Sequence, residues 1–151
     1  MARMLFFKKR KTKQFFMSDY MLIRLISEVI NKNPSNQNIQ KGVWVWNRTD
    51  HRFSCSLSFC QVMNIPPWTI PDLDLWIKIL SSNDLINFTD LLEGVLNDSK
   101  PRNCLLELSS HDATKKIIQC FLETKTYPNN NNYVIGVFCD VTELIFSENK
   151  N

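Results

Sequence analysis

The sequence predicts an α+β domain: a five-stranded antiparallel sheet, helices inserted between its second and third strands, and an amphipathic helix in front. Three observations carry this. From Tyr133 to Val141 both side-chain parities are mostly apolar, the pattern of a strand covered on both faces of its sheet. Helical stretches separated by prolines and polar caps lie between two early strand-like runs and three late ones. Finally, residues 19–32 place Leu22, Leu25, Ile26 and Val29 at i, i+3, i+4 and i+7, an apolar stripe that must cover a sheet or pair with a copy of itself.

Taken in order, residues 1–17 form a basic leader in which Arg3, Lys8, Lys9, Arg10, Lys11 and Lys13 meet no acid. They hold +6 of charge, so the other 134 residues sum to −3 (the formal +3 less that +6). The basic balance therefore describes a tail, suited to nucleic acid or an anionic membrane surface, and not the body. Ser18 can cap the 19–32 helix, and the polar run 31–41 with Pro34 ends it. Gly42-Val43-Trp44-Val45-Trp46-Asn47 reads as a strand with tryptophans on one face and valines on the other, and Arg52–Ser56 returns antiparallel. Ser56 caps a short helix that turns Phe59, Cys60 and Met63 inward, and Pro66, Pro67 and Pro71 break it. A second helix runs over 72–80, with Leu73, Trp76, Ile79 and Leu80 inward. A third, capped by Ser82 or Asn83, aligns Leu85, Phe88, Leu92 and Val95 until Asn97-Asp98 stops it. Strands over 103–109 and 115–125 flank the turn 110–114 as a hairpin, and the asparagine-rich loop 127–132 leads to the last strand. There Asp140 and Thr142 can cap a helix beginning at Glu143.

With 44% hydrophobic and 11% aromatic residues the chain can bury a core, so global disorder is excluded. The five cysteines are odd in number and lack C-x-x-C spacing, which points to reduced thiols and a cytoplasmic protein. Met4-Leu5-Phe6-Phe7 is too short for a secretory signal, and no stretch is long enough to span a membrane.

Two motifs, some ninety residues apart, carry a resemblance. The first is Gly42, Trp44, Trp46 and Asn47; the second is Gly136, Val137, Asp140, Val141, Thr142 and Glu143. Over residues 42–143 the chain resembles the PAS domain, in particular its third fold subfamily, whose first strand tends to read Gly-x-Trp-x-Trp-(Asp/Asn) and whose last tends to read Gly-Val-x-x-Asp-Ile-Thr-Glu. It departs from that pattern at Ser81-Ser82-Asn83-Asp84, which keeps only the last Asp of His-Pro-Asp-Asp, and at Asp112-Ala113 in place of Asp-Gly.

The resemblance implies a sensory or dimerisation module. Such a domain holds a small molecule, or nothing, between sheet and helices and passes a change through its last strand into an exit helix, here starting within 144–151, with no output domain in cis. Amphipathic faces assign the pocket walls to Cys60, Met63, Trp76, Leu92, Ile118, Cys120 and Val137, an uncharged lining suited to a small apolar ligand. Asp140 and Thr142 would relay the signal, and Leu22, Leu25, Ile26 and Val29 would pair two copies, with a separate signalling protein downstream. No cofactor is expected. Haem lacks a histidine on a cavity helix, since His51 and His111 both fall in turns, while a non-covalent flavin resting on the aromatic residues stays open. No carboxylate pair, Ser/His/Asp set or glycine-rich phosphate loop is present, so the reading is non-catalytic.

Overall fold

The computed structural model describes residues 39–109, 114–128 and 131–148. The leader, the 19–32 helix with Leu22, Leu25, Ile26 and Val29, and His111 lie outside the described residues.

The elements follow the predicted order. Strands β1 (Lys41–Asn47) and β2 (Arg52–Cys55) precede helices α1 (Leu57–Met63), α2 (Leu73–Ile79) and α3 (Ser82–Asp98). Strands β3 (Arg102–Ser109), β4 (Lys115–Thr126) and β5 (Asn132–Asp140) come next, and α4 (Thr142–Glu148) leaves the sheet. The strands form one antiparallel sheet in the order β2-β1-β5-β4-β3. The apolar strand β5 is central, paired along its length with β1 and β4.

Strand alternation divides the sheet into two apolar faces. On one, Trp44, Trp46, Ile118, Cys120, Leu122, Val134 and Phe138 pack with the buried faces of α1–α3. On the other, Val43, Val45, Ile135, Val137 and Cys139 form a second core, joined by Ile39 before β1 and Ile145 from α4.

Local chemistry sets the helix starts. Ser56 caps α1 as predicted, accepting from the Phe59 N–H at 3.1 Å while its hydroxyl also accepts from Val43 N at 3.0 Å, so one side chain ties the helix to β1. Asp72 caps α2. For α3 the cap is Ser81 and not the expected Ser82 or Asn83, because the Ser81 hydroxyl accepts from Asp84 N at 3.2 Å. The Asp84 carboxylate then reaches out of the helix to accept from Glu107 N of β3 at 3.0 Å, satisfying a donor that the sheet edge leaves open. Close approach explains Gly42: a Cβ there would lie 2.2 Å from the Phe59 Cα, so α1 rests directly on the β1 backbone.

Candidate functional site

Beneath the three inserted helices lies an aromatic stack. Trp76 of α2 sits at its centre, stacked on Phe88 of α3 at 4.2 Å between ring centroids and on Phe138 of β5 at 5.2 Å. Trp44 and Phe59 close it edge-on, at 5.4 and 6.0 Å from Trp76. All five rings are 0–2% exposed, so their indole N–H groups need partners inside the protein. Trp44 Nε1 donates to the Pro71 carbonyl at 2.6 Å. Trp76 Nε1 is buried with no acceptor, an unpaired donor at the middle of the helix-facing core.

Six of the seven residues expected to line a pocket face this core: Cys60, Met63, Trp76, Leu92, Ile118 and Cys120. Val137 does not. It lies on the opposite face of the sheet with Val43 and Phe121, because the register sets Trp44 against Gly136, which puts Gly136 and Phe138 on the helix-facing row and Val137 on the other. Phe138 takes the position that the sequence reading gave to Val137.

At the exit from β5, Asp140 Oδ1 accepts from both the backbone N–H (3.1 Å) and the hydroxyl (2.5 Å) of Thr142, fixing the first turn of α4. Thr142 Oγ1 in turn accepts from Ile117 N of β4 at 2.9 Å. The sequence reading missed Lys116. Its ammonium donates to the Val62 carbonyl (2.9 Å), the Gln61 carbonyl (3.2 Å) and Asn64 Oδ1 (3.1 Å), so it caps the C-terminal end of α1, and it lies 3.8 Å from Asp140 Oδ2. A signal was present: Lys116 shares strand parity with Ile118 and Cys120, and a lysine in a core-facing row needs acceptors. The helix that bears Cys60 and Met63 is thereby joined, through one side chain, to the residues that start the exit helix.

His51 lies in the β1–β2 turn, at a φ of 54°. Among the described residues no group of three or more histidine, cysteine or acidic side chains is placed to hold a metal. No helix among them is long and apolar enough to cross a membrane.

A central β5 between β1 and β4, with helices inserted after β2 on one face, defines the class: a single-sheet α+β domain with a helix-covered core and a helical exit. Solved structures with this arrangement name it. An RNA-binding light-oxygen-voltage receptor matches with a TM-score of 0.61 and 19% identity over 69% of this chain, which spans 30% of that receptor's length. A sensory box histidine kinase/response regulator from Burkholderia thailandensis matches at 0.57 and 15% identity, covering 83% of this chain and 91% of that one. The PAS domain of a protein from Colwellia psychrerythraea matches at 0.52 and 9% identity, covering 81% and 98%. The chain has the PAS fold. By sequence it matches neither a family model nor a curated protein.

Proposed function

We propose that this chain is a non-catalytic cytoplasmic sensory module: an event beneath or upon α1–α3 is relayed to the exit helix α4. The observation that carries this reading is the Lys116 junction, which bonds the end of α1 and faces Asp140, the residue that holds Thr142. A shift of α1 by a fraction of an ångström changes bonds at the root of α4. The input is a small, largely apolar molecule with one hydrogen-bond acceptor, for which the unpaired Trp76 N–H is the polar anchor in an otherwise apolar wall. A non-covalent flavin is consistent with the likeness to light-oxygen-voltage structures, and it would enter by parting the stack of Phe88, Trp76 and Phe138. A protein partner on the helical face would use the same junction.

The test combines native mass spectrometry and an absorption spectrum of freshly purified protein with hydrogen exchange in α4. The expected result is a retained small molecule that Trp76→Phe releases. Lys116→Met should keep the molecule while changing exchange at Thr142–Glu148. Unaltered α4 exchange in Lys116→Met would overturn the relay.

The reading includes a homodimer in which Leu22, Leu25, Ile26 and Val29 pair with their copies, or a cover for the second apolar face formed by the same stripe. Sedimentation of the full chain against a chain starting at Asn33 tests the pairing, and a monomer in both would refute it.

A further inference from the structure

Cys104 of β3 and Cys120 of β4 stand directly opposite one another in the edge hairpin. Opposed residues of an antiparallel pair have Cα atoms about 4.5 or 5.5 Å apart according to ladder position. Disulfides span Cα separations of about 4.4–6.8 Å, so either position meets the requirement. Both side chains lie on the helix-facing side of the sheet: Cys120 is fully buried, and Cys104 is half-buried against the same core. Strand β3 is outermost, and Cys104 on it keeps part of its surface exposed while Cys120 has none.

We propose that Cys104 and Cys120 form a redox-active dithiol, which a hydroperoxide converts to a disulfide with Cys104 attacking first and Cys120 resolving. In the first step the Cys104 thiolate forms an S–O bond to one peroxide oxygen as the O–O bond breaks. With hydrogen peroxide the other oxygen leaves as hydroxide and takes up the proton that Cys104 released, giving water. In the second step the Cys120 sulfur attacks the Cys104 sulfenic sulfur. The S–S bond forms, the S–O bond breaks, and the departing hydroxide takes the Cys120 proton. Two thiols are oxidised by two electrons, and one peroxide becomes two waters.

The division of labour follows from the surroundings. Interaction with the Cys120 thiol lowers the Cys104 thiol below its usual value, against smaller opposing effects of partial burial and of Asp84. Burial raises Cys120 well above its own. An accessible thiol with increased thiolate character beside a buried neutral one is the arrangement of an attacking and a resolving cysteine. Cys55 and Cys60 offer a useful contrast. Their sulfurs are 3.9 Å apart, close enough to touch, yet both are 1–3% exposed and burial holds Cys55 far up in the thiol form. Closeness alone therefore does not make a dithiol reactive when neither thiol is open to an oxidant. The inference stands on the hairpin alone and does not depend on whether the core takes a ligand.

The test treats the reduced full-length chain with hydrogen peroxide, then alkylates and maps the remaining thiols. The five free cysteines should fall to three, with one peptide pair joined through Cys104 and Cys120 and full recovery on adding a dithiol reductant. In Cys104→Ser, a change at a half-buried edge position, the loss of two thiols should vanish. Because Cys120→Ala could disturb the core, that variant is read for trapped sulfenic acid at Cys104 with a dimedone probe, and only after its circular dichroism matches the unmodified chain. A Cys55–Cys60 crosslink, an unchanged loss in Cys104→Ser, or over-oxidation of Cys104 with no crosslink would each overturn the proposal.

Discussion

Replacing Gly42 by alanine tests how the helices are seated on the sheet. The added Cβ would fall 2.2 Å from Phe59 Cα and 2.4 Å from Phe59 N. Carbon atoms in ordinary contact are about 3.5–4.0 Å apart, so α1 must retreat by more than about 1 Å. The atoms in the way are backbone, which cannot turn aside as a side chain can. A retreat of that size strains the two bonds that Ser56 makes to β1, Val43 N to Ser56 Oγ at 3.0 Å and Ser56 N to Val43 O at 2.9 Å. Each such bond contributes about 1 kcal/mol net. Overpacking adds about 1–3 kcal/mol, for a combined loss of about 3–5 kcal/mol. That is a large part of the 5–15 kcal/mol that holds a typical domain. In urea, with a slope of about 1–3 kcal/mol per molar, the midpoint should fall by more than about 1 M. Gly136→Ala is the internal control. Its Cβ would meet the ends of two side chains, Phe138 Cε2 at 2.7 Å and Leu122 Cδ2 at 2.9 Å, which can rotate away in part. The order of stability should therefore be unmodified chain, Gly136→Ala, Gly42→Ala. A Gly42→Ala midpoint equal to that of the unmodified chain would refute the direct seating of α1 on β1.

Three other outcomes are expected. In parallel urea melts Trp44→Phe should be more destabilising than Trp76→Phe by about 1–3 kcal/mol: both lose similar ring area, but only Trp44→Phe leaves the buried Pro71 carbonyl without its donor. For Asp72, burial, aided by Asp74, raises the carboxyl above its usual 3.8, so the folded chain holds a proton more tightly there than the unfolded one does. Its stabilising contribution is complete below the unfolded value and is lost as pH rises through the raised folded value. Asp72→Asn keeps an oxygen for the Leu75 N–H, and should flatten that acid-side fall in a pH series of thermal melts. Lastly, peroxide-treated protein should melt higher than the reduced form, since a crosslink closing a loop of about 15 residues restricts the unfolded chain by about 3 kcal/mol.

Much of this fold was legible because its local signals agree. The tryptophan and valine rows of Gly42–Asn47 separate onto the two faces as alternation requires, and Ser56 caps the helix it was expected to cap. The cap of α3 was harder, since Ser81, Ser82 and Asn83 are all suitable and only the position of Asp84 decides among them. Val137 was misplaced for a physical reason. A strand covered on both sides has two apolar rows, so periodicity shows that both are buried and cannot say which one meets the helices. Register supplies the answer, through Trp44 opposite Gly136. The Cys104–Cys120 pair could have been read earlier: counting outward from a turn at 110–114 pairs Ser109 with Lys115, and five steps further pairs the two cysteines.

The register also bears on how the proposed relay can work. Strand β5 is bonded along its length to β1 and to β4, and its rows pack into both cores. The smallest slip that restores its hydrogen bonds is two residues, and a slip of one would send every side chain to the wrong face. Moving β5 as a rod is therefore costly compared with the energy of binding a small molecule. Lys116 is different. Its ammonium is held by three acceptors at the end of α1 and by a long contact of 3.8 Å to Asp140, on a flexible stem that is 24% exposed. Repartitioning that group between the α1 carbonyls and Asp140 needs no ladder to break, since single charge-assisted bonds contribute about 1.5–3 kcal/mol. In the proposed relay the soft element between core and exit is thus a side chain of β4, with the central strand as the fixed frame against which it would move.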